Sequence, residues 1–349
     1  MLALLSDEQQ MLKDVAAQIA GSAGPSNPSD LNTLDRAAAW RSLAQAGLLA
    51  LRTRDDDGRP VGSGVEVAVV AEGLGAGLVP VPYLGSAVLA TELLALAGAH
   101  DEAEALSEGD TRTTVLLDRD LSALAVLPGD QTVYAWDADG AADALALTAG
   151  PDGHQVVRVS LDTGFAPAAG SDLTRTLLRS DGPIDGARLT PVGSPLSAEA
   201  LLRWEALALT VISADIVGVM RAAVARAVAY TKERVQYGVL IGSFQAVQHL
   251  CAEAYVQAEA SASATNYAAW AVDELDVAEA LLAARTAKTQ AALVAREVTE
   301  TVMQVFGGIG QTYEHIAHVH TRRALTDRQV LGDEGVQLVR IADVRLTGE

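Results

Sequence analysis

Aromatic residues are scarce, with Phe, Trp and Tyr together making up 4% of 349 residues. Half of the chain is nonetheless apolar, so the core must be built mainly from Ala, Leu and Val. Small side chains of that kind favour helices whose axes approach closely. Cysteine occurs once, as Cys251, which rules out an internal disulfide and fits a reducing cytoplasm. In its Ala-rich setting Cys251 reads as a small core residue. Positive charge is in deficit, with 25 Lys and Arg against 45 Asp and Glu, a net charge of −20. Such a surface repels nucleic-acid phosphates and anionic lipid, so neither is expected as a partner. An anionic ligand would need a local cation. No basic stretch precedes the apolar start Met1–Leu5, and Asp7 and Glu8 follow at once, so no export signal is expected. Gly73 to Thr91 is uncharged for 19 residues, long enough to raise a membrane span. Gly73, Gly75, Gly77, Pro80, Pro82 and Gly85 interrupt it, which predicts a buried turn between two helices.

Three regions follow from what is present. Residues 1–108 read as helical: Ser6 with Gln9 forms a capping-box pattern, Gly21 a stop, and a second helix ends near Gly47. Residues 109–195 hold short runs such as "TTVLL", "LSALAVL", "QTVYAWD", "ALALTA" and "HQVVRVSL", separated by "PGD", "DADG", "GPDG" and "SDGP". Short strands with such turns predict an antiparallel sandwich or barrel. Residues 196–349 read as long helices, the first capped by Ser197 and interrupted only at Gly218. A shorter helix after Gly310 completes an expected antiparallel four-helix bundle. The fold class is thus α+β, mainly α.

"VEVAVVAEGLGAG" fails the dinucleotide fingerprint, because the place of the third glycine is Leu78 or Pro80. "YEHIAHVH" brings Glu314, His315, His318 and His320 close in sequence, but their helical phases diverge and no metal site is expected. Arg322 and Arg323, in "TRRALTDRQV", are expected to pair within their own helix. "QVFGGIGQ" stops a helix with three glycines where one suffices, which lets a ligand or another chain approach the backbone. In "RVQYGVLIGSFQ", Arg234 suits a helix C-terminus, but that leaves the glutamines unexplained. A guanidinium able to grip a diphosphate, an aromatic at Tyr237 and a helix start at Gln245 together suit a phosphate-bearing cofactor.

These two motifs, about 70 residues apart, resemble the acyl-CoA dehydrogenase family of flavoproteins. That family carries an Arg-x-x-aromatic-Gly-x-x-Ile connector between the first two bundle helices and a Gln-x-aromatic/aliphatic-Gly-Gly-x-Gly turn after the third. "WRSLAQAGLLAL" and the segment from Val67 to Gly98 also resemble its N-terminal helices. The resemblance implies FAD and the removal of hydrogens from Cα and Cβ of an acyl-CoA. It implies that Arg234, Tyr237 and Gln245 contact the FAD of a neighbouring chain, with Gln304, Gly307 and Gly308 at its adenosine end. An electron acceptor and at least a dimer are implied too.

Two departures stand out. The Thr-Glu-Pro, Gly-Ser-Asp and Trp-x-Thr/Ser segments that hold the flavin ring are missing from 109–195, and Ala169–Asp172 falls too late to replace them. The usual catalytic glutamate position is Leu331, and the alternative on the first bundle helix is Ala208. Glu205, one turn earlier, is the weak remaining candidate, read otherwise as an exposed residue near a helix start. The pattern resembles short subunits that pair with an unlike, fully equipped partner, often acting on bulky thioesters such as steroid side chains. A homo-oligomer using Glu205 and a flavin-free scaffold remain alternatives.

Overall fold

The computed structural model describes residues 5–150 and 153–347. Met1–Leu4 and the Pro151–Asp152 centre of one expected turn lie outside them. Helix α1 (Asp7–Ala23) begins at the expected capping box: the Ser6 hydroxyl accepts from the Gln9 backbone N–H, and the Gln9 side chain accepts from the Ser6 N–H. It runs through Gly21 and stops at Gly24. Helices α2 (Arg36–Gln45) and α3 (Gly64–Ala76) follow. The expected breakers Gly73 and Gly75 lie inside α3. A Cβ at Gly75 would sit 2.6 Å from the backbone oxygen of Asp215, so this glycine serves a close helix crossing, not a turn. The turn begins at Gly77, and a π-helical stretch, Tyr83–Ala90, leads directly into α4 (Thr91–Leu96). A further short helix, α5 (His100–Ser107), closes this part after Gly98.

The middle segment is one seven-stranded sheet. Its strands are β1 (Thr113–Leu117), β2 (Tyr134–Trp136), β3 (Asp143–Gly150), β4 (Gly153–Ser160), β5 (Phe165–Pro167), β6 (Leu178–Ser180) and β7 (Thr190–Leu196), in the order β5-β6-β2-β1-β3-β4-β7. All pairs are antiparallel except β1 with β3. The sheet is therefore mixed, and it forms neither of the expected closed or double-layered shapes. The cause is topological: β1 lies between β2 and β3, so a chain that reverses after each strand returns parallel to where it began. "LSALAVL" contributes only isolated bridges at Leu124 and Val126. Successive side chains serve two cores, as the strand period of two requires. Val115 and Leu117 join the helices' core, whereas Leu116, Ala144 and Ala146 join a second cluster on the opposite face.

The C-terminal segment is helical. Helix α6 (Ala198–Thr231) is capped by Ser197 and, at about 1.5 Å per residue, spans roughly 50 Å. It is apolar and long enough to cross a membrane, yet most of its apolar stretch is buried among the other helices. A small hairpin of β8 (Val235–Gln236) and β9 (Val239–Leu240) leads to α7 (Gln245–Glu274), which is followed by α8 (Val277–Phe306). Helices α9 (Ala317–Gln329) and α10 (Glu334–Thr347) complete the segment, α10 being additional to the expected four. Alanines such as Ala258, Ala284, Ala287 and Ala291, all fully buried, let α7 and α8 pack closely.

Candidate functional site

The connector and the glycine turn meet at one end of the bundle. Tyr230, in the last turn of α6, packs on Phe306 at the end of α8 with ring centroids 5.1 Å apart, and Phe306 contacts His315 at 4.3 Å. Backbone bonds fix the connector: Arg234 N–H donates to Tyr230, and Ile241 N–H donates to Arg234. Tyr237 and Gly238 both take positive φ at the hairpin tip. That leaves Tyr237 94% exposed and edge-on to Phe244 at 6.4 Å. Val235, Val239, Leu240 and Phe244 are exposed around it.

Arg234 is exposed and, among the described residues, enters no ion pair. Gln245 opens α7 and is exposed, as are Gln304 and Gly308; Gly307 is half-buried. A Cβ added at Gly307 or Gly308 would meet nothing within 4 Å, so the backbone faces open space. The structure thus brings all six predicted residues to one bundle end, with a free cation, amides and an apolar rim. A diphosphate-bearing cofactor fits this donor set.

The other candidates sit elsewhere. Each histidine bonds locally: His315 Nδ1 accepts from Ala317 N–H, His318 Nε2 pairs with the Tyr313 carbonyl and His320 Nδ1 with that of Ile316. No group of three or more His, Cys, Asp or Glu is arranged to hold a metal ion among the described residues. Cys251 is half-buried against the core. The two arginines do not pair within α9. Arg322 donates to the Ser171 carbonyl of the sheet segment, and buried Arg323 forms a bidentate pair with Asp215 of α6.

Asp215 belongs to a buried charged knot that the sequence reading missed. Arg175, stacked 4.9 Å from the Trp136 ring centroid, lies 3.1 Å from Asp137, 3.2 Å from Asp215 and 3.3 Å from Asp327. Asp172, dismissed as too late for the flavin turn, accepts from the backbone and hydroxyl of Thr174 beside it. A signal was available: Asp215 is the one charge in the run Ala206–Met220, and a charge there must find a buried partner.

The position expected to hold the base is closed. Leu331 is buried, and its N–H donates to the Leu121 carbonyl at 2.7 Å. Both leucines take positive φ, which costs an L-residue about 1–2 kcal/mol. Buried Lys288 of α8 holds the turn, donating to the carbonyls of Arg328 at 2.8 Å and Gly332 at 2.9 Å. Beside Leu331 lies a cavity of about 160 Å3 that also reaches Glu205. Glu205 is not an exposed helix-start residue. Its side chain is 23% exposed, and its Oε1 accepts from Arg285 at 3.2 Å and Arg340 at 3.1 Å.

Residues 198–346 match the family model "Acyl-CoA dehydrogenase, C-terminal domain". The acyl-CoA dehydrogenase IpdE2 of Mycobacterium tuberculosis is 32% identical over 93% of this chain and 93% of its own length. The chain belongs to the acyl-CoA dehydrogenase family. Acyl-CoA dehydrogenase FadE34 of the same organism is 30% identical over the whole chain, which spans only 49% of FadE34. Among solved structures, a variant of the Tcur3481-Tcur3483 steroid ACAD is 26% identical with a TM-score of 0.81, covering 98% of both chains. Acyl-CoA dehydrogenases are oxidoreductases and generally flavoproteins.

Proposed function

We propose that this chain is one subunit of an FAD-dependent acyl-CoA dehydrogenase that contributes half of a flavin site to an unlike partner. The observation that carries the reading is the contrast between two places in the fold. At the bundle end, Arg234, Tyr237, Gln245 and the Gly307–Gly308 turn stand open. At the base position, Leu331 cannot accept a proton, and its cavity of about 160 Å3 falls below the roughly 300–1,000 Å3 usual for ligand sites.

In this reading the Arg234 guanidinium grips the FAD diphosphate bidentately, and the α7 N-terminus adds backbone N–H donors. Tyr237 and the exposed valines pack against the partner. Gly307 and Gly308 admit the adenosine end, with Gln304 supplying an amide. Bound FAD would supply the oxidant for α,β-dehydrogenation of an acyl-CoA, the base coming from the partner. Arg285 and Arg340 both donate to Oε1 of Glu205 and so already occupy the oxygen that a substrate proton would need, which counts against Glu205 as a self-sufficient base. A bulky, steroid-derived thioester is the substrate class favoured by the likeness to a steroid ACAD. An unlike partner also fits FadE34, whose remaining length would accommodate a second chain of this size. The division at 108/109 and 195/196, an external electron acceptor and a cytoplasmic location belong to the same proposal.

The test is co-expression with the product of the adjacent reading frame, followed by native mass and an absorbance scan. Arg234→Ala is expected to leave the complex assembled and to remove most of its FAD absorbance. Unchanged FAD content would favour a scaffold role and overturn the reading.

A further inference from the structure

We propose that His315 is a positioning residue: its neutral imidazole fixes the glycine turn Gly307–Gln311, and acidification releases whatever that turn holds. Naming FAD as the ligand released rests on the function proposed above. The turn is closed at both ends through this one side chain. On the entry side the His315 ring lies 4.3 Å from that of Phe306, the last residue of α8, and Phe306 in turn lies 5.1 Å from Tyr230 of α6. On the exit side Nδ1 of His315 accepts from the Ala317 N–H at 3.2 Å, which pairs one of the first N–H groups of α9, a group without a partner in the helix itself. The backbone between them is a relay. His315 N–H donates to the Thr312 carbonyl, and the N–H and hydroxyl of Thr312 both donate to that of Ile309. Within the turn Gly310 is the one buried residue, Gly307 and Gly308 face open space, and Ile309 is exposed.

Nδ1 can accept only while the ring is neutral. Protonation removes the acceptor and sets a cation at the start of a helix, where the dipole opposes it. Both charged neighbours repel that cation: Arg226 of α6, exposed and in no ion pair among the described residues, and His318 of α9. Glu314, next in sequence, is exposed and likewise enters no ion pair among the described residues. Burial, Arg226 and His318 together hold His315 below the ordinary histidine range. The tight turn therefore belongs to the neutral ring. It is complete above the ordinary histidine value near pH 6.5 and is lost as pH falls below it, because the loosened segment binds the proton more readily. The other two histidines do not behave this way. His318 Nε2 meets the Tyr313 carbonyl, a bond that uses the N–H and survives protonation. Burial lowers His320 to about 3, so it stays neutral across the same window.

The experiment is amide hydrogen exchange of the full chain, without FAD or partner, at about pH 7.5 and about pH 5, corrected for the intrinsic pH dependence of exchange. Protection across residues 307–317 is expected to fall about ten-fold or more at the lower pH. His315→Gln keeps an acceptor for the Ala317 N–H but cannot titrate, and its turn should stay protected at both. Arg226→Gln should make the loss smaller, because the protonated ring is then repelled less. In the assembled complex the FAD dissociation constant should rise between the same two conditions for wild type and stay level in His315→Gln. The proposal is overturned if the wild-type turn is equally protected at both pH values, or if His315→Gln loses protection as wild type does. A turn that loosens as described in the isolated chain, while FAD affinity in the complex ignores it, would uphold the positioning role and refute the flavin reading of the turn.

Discussion

Asp215 and Asp327 occupy the same buried knot and meet opposite fates. Four carboxylates, Asp137, Asp172, Asp215 and Asp327, surround two guanidiniums, Arg175 and Arg323. Burial pushes every carboxyl towards its neutral form. At Asp215 the facing Arg323 and Arg175 overcome burial and hold the carboxyl well below its usual range. At Asp327 burial wins over Arg175, aided by repulsion from Asp215, and the carboxyl is pushed well above it. The consequences for stability have opposite signs. Asp215 contributes stability that is present above the unfolded value near pH 4 and is lost as pH falls towards its folded value. Asp327 favours folding only where it stays protonated, so its burden grows as pH rises from about 4 towards its raised folded value. Asp215→Asn is therefore expected to cost about 3–5 kcal/mol in urea unfolding at pH 7, the scale for breaking a buried pair. Asp327→Asn, which mimics the neutral acid, is expected to be as stable as wild type or more so. A loss at Asp327→Asn equal to that at Asp215→Asn would refute the assignment of the proton.

At the scale of elements, close crossings and pinned turns decide stability. Helices α3 and α6 cross where neither can carry a side chain: a Cβ at Gly218 would lie 2.0 Å from the Glu72 carbonyl oxygen. Gly218→Ala should therefore lower the unfolding free energy by about 1–3 kcal/mol, although alanine is the better helix former by about 1 kcal/mol. Gly21 in α1 is the control, because a Cβ there meets nothing within 4 Å. Gly21→Ala should stabilise by roughly 0.5–1 kcal/mol in the same measurement. This contrast also shows what a sequence can and cannot reveal. Caps at Ser6 and Ser197 and the turn at Gly47 are local chemistry, and they were legible. Gly21, Gly73 and Gly75 were misread as breakers because a glycine's role inside a helix depends on what passes over it, which only packing decides. The α9–α10 turn depends likewise on a distant residue, Lys288. Burial lowers its amine to about 7 from the ordinary 10.5. Between those values the unfolded chain binds the extra proton, so this group makes folding more favourable as pH rises from about 7 to 10.5. Lys288→Met should cost about 1–3 kcal/mol through the abandoned carbonyls and should flatten the rise of the melting temperature across that window.

For the whole molecule, the question is how many flavins a pair of chains can hold. The connector motifs stand out in the sequence because a cation, glutamines and surplus glycines exceed what a loop or a helix stop requires, and the helix ends that carry them meet through Tyr230 and Phe306. The closed base position was half legible. Leu331 is visible in the sequence, whereas the direct bond from its backbone to Leu121 depends on how the sheet docks against α9 and α10. That bond brings Leu121 of the sheet segment onto the turn between α9 and α10. If each chain held its own flavin, both the open end and the cavity beside Leu331 would be needed in every copy, and the cavity is too small. If an unlike partner holds the flavin, one open end serves one cofactor. The chain purified alone is then expected to be colourless in the flavin band, and its complex should contain one FAD for every two chains, measured by absorbance after denaturation against total protein. One FAD per chain, or a yellow, dye-reducing chain on its own, would show that the half-site argument fails and that the cavity opens further than its backbone bond permits.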